Sequence, residues 1–352
     1  MFESFLENKN SWLNGKGPES NIIFSSRIRF ARNLSNYHFP WKASIEEKEE
    51  ILKEIFSFYK NIDLLKDAIF IDMKDLEDLD KQFLLERHII SQEFIGPSRG
   101  KGLILTLDEV ISIMINEEDH LRMQIIKSGF DLKKAESLLN RIDDEFSKFF
   151  SFAFLSDLGY LTSCPTNVGT GLRVSCMLHL PALVLTRRIN KVLDALSKIS
   201  FTARGLFGEG TQNLGDFFQI SNQNSLGLSE IEFIDNLSSV VKEIKEQELE
   251  ARDLLLKKYR ISLEDSVYRA YALLCNSRIM SSKEAFSHLS MLALGIDLNI
   301  IENIKRDVVN NLFIIIQPAH LQKLKKSILK EEERDYIRAT ILRERLTGFK
   351  RQ

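Results

Sequence analysis

The sequence predicts an α+β protein: a mainly antiparallel sheet flanked by helices, followed by an all-helical C-terminal region. Two observations lead there. Short apolar runs joined by brief turns alternate with long helical stretches, the pattern of an antiparallel sheet covered by helices. From Ser229 the strand-like runs stop, and Ile234, Leu237, Val241 and Ile244 repeat at helical spacing. The expected division is residues 1–250, an α+β region, and 251–352, a helical region.

In chain order, residues 1–24 are a short lead-in. Asn21–Phe24 reads as a strand entering Ser25–Asn33, where alternation puts Arg27 and Arg29 on one face and Ile28 and Phe30 on the other. A strand with a solvated basic face fits that segment equally well. Residues 44–60 carry Ile45, Ile51, Leu52, Ile55 and Phe56 on one helical face. Ala68–Asp72 is strand-like, Gln82–Arg87 is helical, and 96–100 is a turn-rich loop. Gly102–Leu107 and Val110–Ile115 are strands with Asp108 and Glu109 at the turn. Asn116–Arg122 then gathers three acids beside His120 and Arg122, ahead of a further strand at Met123–Ile126. Helices are expected over 132–152 and His179–Leu196. Phe201–Gly210 is expected as a strand entering a glycine-rich turn that presents Glu209, and Asp216–Asn222 as a further strand. Beyond a helix reaching about Lys258, helices are expected at 263–275, 282–294, 298–314, 318–330 and 331–346.

The 352 residues suffice for two domains and a sizeable core. A formal net charge of -2 gives no overall pull toward nucleic acid or anionic membrane. Three cysteines, Cys164, Cys176 and Cys275, make no CxxC pair or metal-ligand spacing and fit a reducing compartment. No run is long enough to span a bilayer, and the first residues lack a signal-peptide layout. The expectation is a cytoplasmic protein with no direct nucleic-acid or membrane partner.

The most informative stretch is Cys164–Arg173, with Pro165, Gly169 and Gly171 inside it. Its glycines allow positive φ and close approach of a ligand. Ordinary loops are also punctuated by Gly and Pro, but a thiol and an arginine bracketing one is rarer and reads as a wall of an anion site. Candidate ligand residues gather at Arg27/Arg29, Glu118/Arg122, Cys164–Arg173, Arg204–Glu209 and His88. Arginines brought together repel unless they bind a polyanion, and their planar forks match phosphate oxygens. A nucleoside triphosphate with Mg²⁺ is the natural occupant. No P-loop and no protein-kinase motif set is present. Glu118 and Glu209 can hold a planar guanidinium by paired hydrogen bonds, in line with the γ-phosphorus, and one can take its proton. A Cys164 thiolate stabilised by nearby cations would add a third negative contact.

Ser25–Asn33, Asn116–Arg122, Cys164–Arg173 and Arg204–Glu209 resemble, in order, the signature blocks of the phosphagen (guanidino) kinases, and most of all its bacterial protein-arginine branch. The resemblance implies ATP contacts from Ser25, Ser26, Arg27, Ile28, Arg29, His88, Arg122, Arg173, Val174, Ser175, Cys176, Met177, Arg204, Gly205, Leu206, Phe207, Gly208 and Glu209. It implies Glu118 and Glu209 as catalytic carboxylates with Cys164 beside the acceptor, ATP and Mg²⁺ as cofactors, and no protein-bound metal. Small-molecule members carry a helical N-terminal domain around the free acceptor, whereas 24 residues precede Ser25 here; an open acceptor side suits an arginine within a protein. Arg334, Asp335, Arg338 and Ala339 match an RDxxRA motif that in the branch binds phosphoarginine as an allosteric activator. Read alone, they form a solvated helix face, Arg334 and Arg338 being i, i+4 neighbours. Implied partners are a McsA-like activator, the ClpC–ClpP protease and a CtsR-like repressor in the stress response, with the helical region a homodimer surface. A non-catalytic protease adaptor and a small-molecule guanidino kinase are the alternatives.

Overall fold

The computed structural model describes residues 5–6, 11–205 and 214–348. Contacts divide the chain into two units. The strand-rich one is Ser25–Cys176 with Ser221–Ser239; the other, mostly helical, is Met1–Phe24, Met177–Ile220 and Val240–Gln352.

In the strand-rich unit the strands are β1 (Ile23–Arg32), β2 (Ile69–Asp72), β3 (Gly102–Leu105), β4 (Ile111–Ile115), β5 (Leu121–Ser128) and β8 (Leu172–His179), ordered β2-β3-β4-β5-β1-β8. A two-stranded ribbon, β6 (Phe154–Leu155) with β7 (Gly159–Tyr160), stands apart. β2–β3, β3–β4, β4–β5 and β1–β5 are all antiparallel. The register sets the chemistry of each face. Arg27 lies opposite Ile126, Arg29 opposite Gln124 and Ala31 opposite Arg122. Directly paired residues share a face, so Arg27, Arg29, Gln124 and Arg122 project together, while Ile28, Phe30, Met123 and Ile125 turn the other way into the core.

Helix α1 (Ile45–Phe58) starts at Ser44, whose side chain accepts from Glu47 N, and buries Ile51, Leu52, Ile55 and Phe58. α2 (Asp78–Glu86) follows β2. α3 (Leu132–Ser147) packs on β5 with Ala135, Leu139, Ile142 and Phe146 inward; it ends five residues before the expected 152. Arg32, at the end of β1, is fully buried. Its Nη2 meets Asp143 on α3 at 2.8 Å, its Nη1 donates to Thr170 O at 2.9 Å, and its guanidinium lies 3.6 Å from the Tyr160 ring centre. Glu109 lies in the β3–β4 turn as expected, its N–H donating to Thr106 O, and its buried carboxylate pairs with buried Arg87 (Nε–Oε2, 3.0 Å).

In the helical unit, α4 (Pro181–Leu185) and α5 (Ile189–Lys198) replace the single helix expected over His179–Leu196. His179 closes a strand instead, its N–H donating to Ile22 O, and Arg187 at φ 59 breaks the helix. β9 (Phe201–Arg204) and β10 (Phe217–Asn222) agree with expectation. The rest is α6 (Glu230–Lys258), which begins in the strand-rich unit, α7 (Arg260–Asn276), α8 (Ser282–Asp297), α9 (Arg306–Ile315), α10 (Pro318–Lys325) and α11 (Glu331–Thr347). The helix expected from 298 begins only at Arg306, because Asn299 at φ 55 terminates α8. Rings of Trp12, Phe24, Phe217, Phe286 and Phe313 interlock edge-on or tilted in its core. Glu248, Arg252, Asp297 and Arg306 form a buried ion-pair chain.

His120 is buried neutral: Nδ1 accepts from Leu34 N at 3.0 Å, leaving Nε2–H for His38 O at 3.0 Å. Burial pushes its pKa down to about 4. A folded-state pKa below the unfolded value (about 6.5) means the unfolded chain binds the extra proton, so this stability is present above pH 6.5 and lost as pH falls toward 4. Unfolding free energy measured by urea titration should therefore fall between pH 6.5 and 4 by up to about 1.4 kcal/mol per pH unit from this group. That part of the slope should vanish in His120→Gln.

Candidate active site

The β4–β5 hairpin carries the acids. Asn116 adopts φ 56, its N–H donates to His120 O, and its side-chain amide is held by Gly100 O and Lys48 O. The tip, Glu117–Asp119, is thus fixed from beneath. Asp119 is buried and accepts from Asn33 Nδ2 at 2.6 Å and Ser163 N at 2.7 Å. Ser163 Oγ donates to Glu118 O at 2.7 Å, so the turn carrying Glu118 is joined to the residue before Cys164. Glu118 itself is exposed. Partial desolvation of its carboxyl by the surrounding turn, then the Asp119 and Glu117 charges, raises its pKa.

Glu117 is the residue that sequence reasoning missed. Its carboxylate pairs with Arg122 Nη1 at 2.6 Å and accepts from the Ser91 hydroxyl. Burial opposes ionisation, but Arg122 and the Ser91 bond outweigh it and hold Glu117 below the ordinary carboxylate value. Within the Glu117-Glu118-Asp119 run nothing in sequence separates the three; hairpin register assigns them.

Arg27 and Arg29 share a face, as alternation on β1 predicts. Arg29 lies within electrostatic range of Arg27, Arg122 and Arg173, with Glu117 the opposing charge. Burial first, then those three guanidiniums, pushes Arg29 well below its ordinary value. Its buried Nε has no hydrogen-bond partner among the described residues. Arg173 Nη2 reaches Ser221 Oγ at 3.4 Å. His88, at φ 59, lies close enough to Arg27 to feel its charge; burial, then that charge, lowers its pKa to about 3. Its carbonyl accepts from Gln124 Nε2 at 3.0 Å.

The loop before Arg173 has the shape its glycines imply. Gly169 (φ 112) and Gly171 (φ 65) are both left-handed, and a Cβ at Gly169 would lie 2.3 Å from Ser225 O. Cys164 Sγ sits 3.1 Å from Thr166 Oγ1. The cationic surroundings expected for this thiol are not what its described bond shows: its partner is a neutral hydroxyl.

Other expected nucleotide contacts are core side chains. Ser26 Oγ donates to Gly129 O at 2.7 Å and lies 3.8 Å from the Cys176 thiol, which burial pushes up to about 12. Ser25, Ile28, Val174, Ser175 and Met177 are buried too. Arg204 and Gly205 belong to the helical unit, as does Met177. Leu206, Phe207, Gly208 and Glu209 lie outside the described residues.

On α11, Arg338 is not on a solvated face. It is 1% exposed, donating from Nε to Ile316 O and from Nη1 to Met280 O, each at 2.9 Å, and paired with Asp335. Ala339 is buried and Arg334 Nη1 reaches Leu329 O at 3.3 Å.

Residues 49–251 match the ATP:guanido phosphotransferase C-terminal catalytic domain, and 260–352 match the protein-arginine kinase McsB C-terminal domain. The protein-arginine kinase of Geobacillus sp. is 44% identical over 351 residues, covering 98% of this chain and 96% of that protein. The chain belongs to the protein-arginine kinase family. A further family relative, from Desulforamulus reducens, is 46% identical over 341 residues, 96% of each chain. Among solved structures, lombricine kinase superposes with TM-score 0.59 at 25% identity, over 67% of this chain and 68% of that one. The duplicated taurocyamine kinase of Schistosoma mansoni shares the fold at TM-score 0.59 and 24% identity, over 71% and 37%. The antiparallel sheet with flanking helices is therefore the guanidino-kinase fold.

A half-buried guanidinium facing three others destabilises the free protein unless an anion binds. Arg29→Met should raise the melting temperature of the free protein by a few degrees, about 1 kcal/mol. The same substitution should remove the thermal shift that Mg-ATP gives the wild type, a shift that follows mass action. A melting temperature lowered by Arg29→Met would contradict the geometry.

Proposed function

We propose that this protein transfers the γ-phosphoryl group of Mg-ATP to an arginine side chain of another protein. The observation that carries the reading is the convergence of Arg27, Arg29, Arg122 and Arg173 in the unit that also holds Glu118 and Cys164. Four guanidiniums supply the positive charge that a triphosphate needs, and Arg29 Nε is a buried donor still lacking an acceptor among the described residues. No cluster of three or more metal-ligating side chains occurs among the described residues, and Mg²⁺ is assigned to the nucleotide as part of the substrate.

In the transfer, an acceptor guanidinium nitrogen forms its bond to the γ-phosphorus as the bond to the β-phosphate oxygen breaks. The leaving ADP keeps that electron pair, and arginine forks neutralise it. Glu118 orients the guanidinium and takes the proton released. Its raised pKa moves it toward the range where a base is effective at neutral pH. Glu209 is assigned the paired role on the family resemblance. Cys164, the residue after Ser163, whose hydroxyl holds the Glu118 carbonyl, is assigned a place beside the acceptor on the same resemblance. Glu117 positions Arg122.

Further assignments rest on the same resemblance. They are activation by phosphoarginine at Arg334, Asp335, Arg338 and Ala339; homodimerisation through residues 251–352; a cytoplasmic stress-response role with a McsA-like activator and a CtsR-like repressor; and marking of proteins for ClpC–ClpP degradation. Arg338 already holds two main-chain carbonyls and Asp335, so Arg338→Ala would unfold its surroundings as well as remove a ligand. Arg334 is the better probe: Arg334→Gln should weaken binding of free phosphoarginine, followed by calorimetry, about 10-fold or more.

Incubation of a model protein with Mg-ATP, followed by mass spectrometry under conditions that preserve the acid-labile N–P bond, tests the central reading. Wild type should yield phosphoarginine. Glu118→Ala and Glu209→Ala should each lower the rate about 10²–10⁴-fold. Unchanged rates in both variants would end it.

A further inference from the structure

The strand-rich unit has a cavity of about 500 Å³ that the transfer reaction does not use. Tyr37, Glu54, Phe58, Phe149 and Phe150 line it. Phe58 and Phe149 lie with ring centres 4.1 Å apart, yet Phe149 stays 63% exposed. The cavity thus offers an exposed aromatic face and the Glu54 carboxylate in one lining, a combination that attracts cations. The Tyr37 hydroxyl is hydrogen-bonded to Glu54. Burial, then Glu54, Glu50 and Glu47 along α1, pushes its pKa up to about 12. The mouth is thus negative as well as aromatic. Asn61 joins it to a second hollow of about 530 Å³, where Asp63, Asp144 and Glu145 outnumber Arg141 and Lys148.

The cavity is coupled to the acceptor end of the site through one short segment. Asn33 holds Asp119, and the next residue, Leu34, donates its N–H to His120. Leu34 and Tyr37 are also cavity walls, and the Tyr37 ring lies 6.4 Å from that of His120. Ser35 N donates to Ser151 O, closing the far wall. The turn that carries Glu118 and the cavity therefore share a rigid partition.

We propose that this cavity takes a second basic side chain, lysine or arginine, of the protein whose arginine is phosphorylated. The inference rests on the protein-arginine kinase reading above and adds to it a preference for acceptors with a basic residue nearby. The ammonium or guanidinium sits against the Phe149 face with Glu54 as counter-charge, and the aliphatic stem packs on Phe58 and Phe150. Binding there adds affinity without touching the reacting atoms, so it acts on KM rather than kcat.

The test uses the full-length protein with Mg-ATP and peptides bearing a single acceptor arginine. Each peptide carries a lysine, a norleucine or a glutamate at one of several offsets from it. In wild type, KM should be about 5–30-fold lower for lysine than for norleucine at the best offset, and highest for glutamate. Glu54→Gln and Phe149→Ala should each reduce the lysine advantage to less than 3-fold. They should do so with kcat and the norleucine KM unchanged, which an unfolding effect would not allow. The proposal is overturned if wild type phosphorylates all the peptides with no preference, or if both variants keep it. If wild type phosphorylates neither peptides nor proteins, the arginine-kinase reading itself fails, and this one falls with it.

Discussion

The structure depends on a repulsion. Arg29 lies beside Arg27, Arg122 and Arg173, and what faces it from the other sign is Glu117. Such a cluster is sustained only by a frame that over-determines it. β1, β5 and β8 are that frame, because their ladders leave the arginine-bearing positions no alternative face. Shifting β1 by one residue would turn the guanidiniums into the apolar core and bring Ile28 and Phe30 to the face of the arginines. The apolar side of the strand therefore fixes where the charges of the other side must stand.

The same economy positions the acids. Glu118 makes its described side of the site through main-chain anchors: its carbonyl accepts from Ser163, and its neighbours Glu117 and Asp119 are each tied to other parts of the unit. The Glu118 side chain stays exposed while both flanks are held. Asp119 makes the opposite use of its carboxylate, accepting two hydrogen bonds and leaving little of itself to solvent. Three adjacent acids thus divide into an arginine positioner, a solvent-facing group and a structural clamp.

Much of this was legible in the sequence. Alternation put Arg27 and Arg29 on one face, the two glycines marked a left-handed loop before Arg173, and the apolar runs flanking Asn116–Arg122 marked a hairpin. What was illegible has physical causes. β8 is buried along nearly all its length, so its sequence has no alternation to separate it from a helix, and His179 was joined to the helix after it. Glu109 lies at a turn, as its sequence indicates, but its burial against Arg87, 22 positions away, left no mark in the sequence. Arg338 looked solvated because periodicity reports spacing, while the carbonyls of Met280 and Ile316 that it grips come from other segments. Long-range partners of charged groups are the information a single sequence hides.

Arginine is used here in two ways, and the contrast separates scaffold from site. Arg32, Arg87, Arg252 and Arg338 are buried, each paired with a carboxylate, and Arg32, Arg252 and Arg338 also bond to main-chain carbonyls. Their pairs add little net stability, since burial raises Glu109, Asp143 and Glu248 despite the adjacent cation. Their value is in specifying which segments meet: Arg32 joins β1, α3 and the loop at Thr170, and Arg338 joins α11 to Met280 and Ile316. Around Arg29 the neutralising partners are outnumbered by like charges. Where a fold pairs its buried guanidiniums elsewhere and gathers like charges in one place, a bound polyanion of the kind proposed above would restore the balance.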